Sequence, residues 1–264
     1  MKYDVAIVGA GPAGYFCAYE LITKNPKLNV ILIDKGLDIE HRRCPVLMHK
    51  VEKCPVNAKG FRECYPACSM TNGFGGAGAY SDGKFNITTE FGGWLQNYME
   101  PEQLIELIKY VDEINLNFGA TLEITNPDTP KTREIERKAI AVGLKLLKSR
   151  VRHLGTEENL KILTKIFYFL KDKITMKFAT AVKDIVIKDG TVQGVVLADD
   201  TVIEADYVNL AVGREGSKWL TELFEKYNVE MKQNQVDIGV RVECPNMIME
   251  DINNSLYEAK LLYK

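Results

Sequence analysis

Residues 2–22 read KYDVAIVGAGPAGYFCAYELI, and this stretch decides the fold. Tyr3–Val8 is a short β-branched apolar run of the kind that forms a buried parallel strand. Gly9-Ala10-Gly11-Pro12-Ala13-Gly14 follows as a complete G-x-G-x-x-G, and a helical apolar pattern continues through Leu21 and Ile22. A second buried strand, Asn29–Ile33, ends at Asp34, 20 residues past Gly14. The spacing has a physical reason. Gly9 permits the tight turn, Gly11 lets main chain approach a pyrophosphate, and Gly14 allows close helix–strand contact. Free N–H groups and the dipole at the helix start favour the phosphates. Asp34, with Lys35 beside it, stands where a carboxylate accepts hydrogen bonds from a ribose, and an acid there disfavours the 2′-phosphate of NADP. Strand, loop, helix and acid together predict a dinucleotide site with Gly9, Gly11, Pro12, Ala13, Gly14, Asp34 and Lys35 as its first contacts.

The bulk numbers leave that reading room. At 264 residues the chain can bury one large core or two modest ones. Apolar residues make up 46% and charged residues 27%, ordinary values for a globular protein. The formal charge of -2 gives no basic footprint for nucleic acid or an anionic membrane. No apolar run approaches the roughly 20 residues of a spanning helix. The apolar start breaks at Gly9, Gly11 and Pro12 and is a poor signal peptide, so a cytoplasmic location is expected.

The later chain bears on which dinucleotide binds. Residues 174–212 divide into a strand at Ile174–Phe178, three short strands at Val182–Ile187, Val192–Leu197 and Val202–Ala205, and a last buried strand at Tyr207–Val212. Lys188-Asp189-Gly190 and Asp199-Asp200 supply hairpin turns. This order, with a final Ala211-Val212-Gly213, resembles the FAD domain of the glutathione-reductase-like flavoproteins. The resemblance implies that Ala211, Gly213 and Arg214 pass close to FAD and that main chain near Val182 meets the adenine. Simple NAD domains carry further βα units in place of the meander.

Four stretches narrow the resemblance: GFGGAGAYSDGKFN at 73–86, VRHLGTEENL at 151–160, NLAVGREGSKWL at 209–220 and VDIGVRVE at 236–243. They are similar to an uncharacterised FAD-dependent dehydrogenase family, the NAD(FAD)-utilising dehydrogenases. The family implies a cofactor and hydride transfer through flavin N5, without a defined small-molecule substrate. NAD(P)H is expected only as a transient electron donor, because no second nucleotide fingerprint is present. Relatives continue beyond a strand at 236–243 and return to the FAD domain with a glycine-containing segment at the flavin end. The expectation is therefore an incomplete substrate domain, with the missing part supplied by a second polypeptide or by a longer chain. A non-catalytic FAD-binding fragment is the alternative.

Gly78–Phe85 nearly matches the G-x-x-x-x-G-K-[ST] phosphate loop, with Phe85 where a hydroxyl should hold magnesium. A working loop of that kind follows directly from a buried strand, and Cys64–Asn72 is no such strand. GKFNITT at 83–89 instead resembles the GRCN-type segment of related flavoproteins, which runs along the cofactor. Gly75, Gly76, Ala77, Gly78, Ser81 and Lys84 then join the cofactor site, facing the pyrophosphate from the side opposite the first loop. Asp82 and Lys84 are the first catalytic candidates, although a turn residue and a phosphate counter-charge explain them equally well.

The organisation expected is an α/β protein: a Rossmann-like FAD-binding domain (parallel sheet plus β-meander) built from 1–95 and 172–232. A helical insertion at 96–171 and the start of a substrate domain at 233–264 complete it. The insertion should hold helices at Pro101–Asn115, Glu134–Ser149 and Glu158–Lys171, with Arg150, Arg152 and His153 on a solvated face or docking substrate. Cys44, Cys54, Cys64 and Cys68 fall within 25 residues. Three readings stay open: a zinc or iron–sulfur site joined by His41 or His49, a flavin-linked Cys64–Cys68 disulfide, and plain packing of small side chains. The second would make the protein a thiol–disulfide redox enzyme.

Overall fold

The computed structural model describes residues 2–56, 59–233, 236–256 and 258–263. Its elements run β1 (Tyr3–Val8), α1 (Pro12–Lys24), β2 (Val30–Ile33), β3 (Lys84–Ile87), α2 (Pro101–Asn117), α3 (Pro130–Ala141), β4 (Leu144–Leu147), β5 (Arg150–His153) and α4 (Thr156–Lys171). They continue with β6 (Thr175–Lys177), β7 (Val182–Lys188), β8 (Thr191–Leu197), β9 (Val202–Leu210), α5 (Ser217–Lys226), α6 (Asn246–Asn253) and β10 (Lys260–Tyr263). Two compact units result: residues 1–81 with Asn159–Lys232, and 82–158 with 233–264.

The first unit is built on a six-stranded sheet in the order β6-β2-β1-β9-β8-β7. β6, β2, β1 and β9 are parallel neighbours, while β7, β8 and β9 form an antiparallel meander. The α/β fold expected from the glycine fingerprint and the meander is present. All four residues of β2 are buried, as a central parallel strand requires. Alternation places Ala6, Val8, Ile31, Ile33, Val195, Leu197, Ile203 and Ala205 in one core cluster. α1 packs on β1 and β2.

One expected break is absent. The expected strands Val202–Ala205 and Tyr207–Val212 merge into a single strand, β9, which ends at Leu210. Its first half pairs with β8 (Val195↔Ile203) and its second half with β1 (Val5↔Tyr207). Asp206 lies between without turn chemistry, so the strand runs straight from the meander into the parallel sheet.

The second unit departs further from the helices expected. The predicted helix at Glu134–Ser149 stops at Ala141, because Gly143 adopts φ +76 and its N–H closes on the Ile140 carbonyl. Leu144–Leu147 then leaves as β4 and pairs antiparallel with β10. β3 and β5 form a second antiparallel pair, with Lys84 opposite His153. Residues 236–243, expected as a strand, carry no regular structure. Arg152, expected on a solvated face, is 5% exposed. Its Nε and Nη2 donate to both Asp112 carboxylate oxygens at 2.7 Å, and Nη1 donates to the Thr121 carbonyl. That pairing holds the guanidinium pKa above its ordinary value.

Candidate functional site

The first glycine loop connects β1 to α1 at the carboxyl end of the parallel strands. Gly9 sits at φ +105, a conformation L side chains rarely adopt, and a Cβ there would lie 2.3 Å from the Ala211 oxygen. A Cβ on Gly14 would lie 1.8 Å from the Gly9 oxygen. Both glycines are required by the protein's own packing. Gly11 is different: its φ is -72 and a Cβ would meet nothing nearer than the Gly76 Cα at 3.9 Å. Gly11 is also the N-cap of α1, with no side-chain cap, and the first turn carries no acidic residue. Pro12 opens the helix, where its missing N–H costs nothing. The result is a helix start whose N–H groups and positive dipole end are not neutralised by its own first turn.

The second glycine loop docks directly on the first. Gly75 N–H donates to the Ala10 carbonyl at 2.8 Å, and a Cβ on Gly76 would approach the Gly11 Cα at 3.1 Å. Ala77 and Gly78 lie in a 3-10 turn, Gly76–Tyr80, which Ser81 closes by donating its N–H to the Gly78 carbonyl. Two features absent from the sequence reading hold this loop. Phe74 is completely buried, stacked on Tyr15 at 5.5 Å and edge-on to Phe167 at 5.1 Å. Arg42 is 1% exposed and braces the loop from inside. Its Nε donates to the Ser69 carbonyl at 2.8 Å, Nη2 to Ser69 and Met70, and Nη1 to the Phe74 carbonyl at 2.5 Å. Its guanidinium also lies 5.0 Å from the Tyr80 ring, and Tyr80 Oη donates to the Arg42 carbonyl at 2.9 Å. Burial lowers the Arg42 pKa from its usual value and raises that of Tyr80. From α4, Asn159 Nδ2 donates to the Gly78 carbonyl at 2.7 Å.

Asp34 ties these pieces together. Its Oδ2 accepts from Ala10 N–H at 2.8 Å, and its Oδ1 accepts from Gly36 N–H at 2.7 Å and Gly73 N–H at 2.9 Å. The sequence reading gave this carboxylate to a ribose. In the fold it is 9% exposed and already engages both glycine loops and the chain leaving β2. A pocket opens beside it, lined by Gly9, Lys35, Val182, Val212 and Trp219 among others. Lys35 Nζ reaches Glu215 at 2.6 Å, and Trp219 Nε1 donates to the Lys183 carbonyl at 3.0 Å. Ala211 lies against Gly9, while Gly213, at φ +63, and the exposed Arg214 lead into α5.

Asp82 and Lys84 belong to the second unit, where Asp82 Oδ1 lies 2.7 Å from His153 Nε2 and Lys84 pairs with Glu258. Cys64 is buried, Cys44 and Cys68 are half-buried, Cys54 is exposed, and none of the four is in a disulfide, so the Cys64–Cys68 pair expected beside a flavin is not formed. Among the described residues no three His, Cys, Asp or Glu side chains form a metal-binding group. His41 pairs through Nδ1 with Asp38 at 2.8 Å instead. The geometry therefore supports neither zinc nor an iron–sulfur cluster at Cys44, Cys54, Cys64 and Cys68. No described helix is long and apolar enough to cross a membrane.

No protein-family model and no curated protein matches the chain. Solved structures do. The L-amino acid deaminase from Proteus vulgaris aligns at TM-score 0.48 and 13% identity, over 87% of this chain and 50% of that one. A glycine oxidase from Geobacillus kaustophilus aligns at 0.46 and 16%, over 86% and 58%. Thermovibrio ammonificans THI4 aligns at 0.45 and 18%, over 87% and 64%. The chain thus spans between half and just under two thirds of each of these structures.

Proposed function

We propose that the chain is the FAD-binding module of an oxidoreductase acting on a small-molecule substrate. The observation that carries this reading is Gly11. Of the three fingerprint glycines, it alone needs neither a positive φ nor the missing side chain for the protein's own packing. An open position at an uncapped helix start suits main-chain approach by a pyrophosphate. The second loop, bonded to the first through Gly75, and the β7–β9 meander support FAD over NAD by analogy of fold.

In this reading the N–H groups at the start of α1 and the loop from Gly75 to Gly78 hold the pyrophosphate. Lys35, Val182 and Trp219 line the adenosine end. Bound FAD would supply two-electron chemistry at flavin N5, and the chain would supply binding and orientation. With a single fingerprint, NAD(P)H would act as a transient reductant and not as a resident cofactor.

FAD titration of the purified, cofactor-free protein tests the proposal, read by flavin fluorescence and by retention through gel filtration. The parent should retain FAD. Gly11→Ala should bind at least about tenfold more weakly while its unfolding curve changes little, since the new methyl makes only an ordinary 3.9 Å contact with the Gly76 Cα and otherwise points to where the cofactor would lie. Gly14→Ala should fail to fold. A parent that takes up no FAD, or a Gly11→Ala variant that binds as the parent does, overturns the reading.

A further inference from the structure

Val236-Asp237-Ile238-Gly239-Val240-Arg241-Val242-Glu243 places a β-branched residue at every second position, with Asp, Gly, Arg and Glu between them. That is the pattern of a half-buried strand. Yet Val236, Ile238, Val240 and Val242 are 78%, 93%, 89% and 79% exposed. Among the described residues, the main chain of 236–244 makes no hydrogen bond to the rest of the protein. Four alternate β-branched side chains and an unpaired main chain in water mark a segment suited to pairing with a strand. Met247 and Ile248 at the start of α6, 83% and 67% exposed, extend the apolar surface available.

The charges say which partner. We infer that this segment is an antiparallel strand-pairing site for a second copy of the same chain, centred on Gly239. In that register Asp237 of each copy faces Arg241 of the other, Val236 faces Val242 and Ile238 faces Val240. Both opposite-charge pairs lie on one side of the ribbon and all eight apolar side chains on the other. Shifting the centre to Val240 sets Asp237 against Glu243, and shifting it to Arg241 opposes two arginines. Parallel pairing in register opposes every like charge. Cross-strand pairs of opposite charge stabilise and like pairs destabilise. Centring on Val242 would set Arg241 against Glu243, but it brings Ile238 opposite Asn246, the first residue of α6; centring on Gly239 alone pairs the whole of 236–242 with its opposite charges matched. Within one chain the Arg241–Glu243 contact is 3.4 Å between side chains more than 80% exposed, and it does not compete strongly. This inference is independent of the cofactor.

Sedimentation of the purified protein over a range of concentrations tests it. The parent should show a reversible monomer–dimer equilibrium. Asp237→Arg and Arg241→Asp should each raise the dissociation constant about tenfold or more, since two favourable pairs become two repulsive ones. The double exchange, Asp237→Arg with Arg241→Asp, should return it to within a few-fold of the parent. Val240→Pro and, separately, Gly239→Pro cover both hydrogen-bonding phases of the ladder, and one of the two should give a monomer whose circular dichroism and thermal unfolding match the parent monomer. A parent that stays monomeric at every concentration overturns the inference. So does a dimer indifferent to the single reversals, or one that the double exchange does not restore.

Discussion

Replacing Asp34 by Asn separates two roles that the fold assigns to one carboxylate. If Asp34 serves only to receive a ribose, the cofactor-free protein should not notice the change. The structure says otherwise, because three main-chain N–H groups, from Ala10, Gly36 and Gly73, converge on its two oxygens at 2.7 to 2.9 Å in a buried site. Hydrogen bonds to a charged group contribute about 1.5–3 kcal/mol each, and a buried donor left unpaired costs about 1–3 kcal/mol. Asn keeps one acceptor oxygen and turns an NH₂ towards at least one of those donors. The expected loss is about 2–3 kcal/mol, a large share of a typical stability of about 5–15 kcal/mol. Urea unfolding of the cofactor-free protein measures it as a lower midpoint at unchanged slope. Amide exchange should accelerate at Ala10 and Gly73, which are in different loops and share only this carboxylate as acceptor. An Asp34→Asn protein that unfolds as the parent does without FAD, and weakens only in its presence, would refute the clamp and restore the ribose role.

Two further expectations concern charges the fold has buried or paired. Arg152→Ala should destabilise the protein by about 3–5 kcal/mol, because it strands the Asp112 carboxylate next to emptied space. Arg152→Ala combined with Asp112→Ala should recover part of that loss in a thermal unfolding cycle, and no recovery would deny the coupling. Asp184 is a partly buried acid-sensitive group. Burial there works to raise its pKa, but Lys226, the Ile185 N–H and Tyr227 Oη outweigh it and hold the carboxyl below its usual range. A depressed folded-state pKa means its stabilisation is present above the ordinary carboxylate pKa near 3.8 and is lost as pH falls below it. Asp184→Asn should lower stability at neutral pH and flatten the acid limb of the stability profile; an unchanged acid limb would assign acid lability elsewhere.

The strand–loop–helix at the amino terminus was legible because its instructions are local. A β-branched run, three glycines at fixed spacing and a helical apolar period lie within about 20 residues, and each acts through main-chain geometry alone. The hairpin turns of the meander were legible for the same reason, with Asp189 and Gly190 adopting positive φ in the first of them. Gly143 could have been read as a helix stop by the same logic, since it follows the last periodic residues of α3.

The parallel sheet with its antiparallel meander and the placement of the first glycine loop are therefore written in the order of residues along the chain. The tertiary structure alone decided what the charged side chains do. Asp34 reads as a ribose ligand in sequence, Arg152 as part of a solvated face, and Arg42 carries no local signal at all. Their burial depends on carbonyls, N–H groups and a carboxylate brought in from segments 24 to 40 residues away. Position 236–243 shows the converse: its strand pattern is unmistakable, but a strand forms only where another edge lies within hydrogen-bonding reach. Local geometry is written in neighbouring residues, whereas burial and pairing are properties of which distant segments meet.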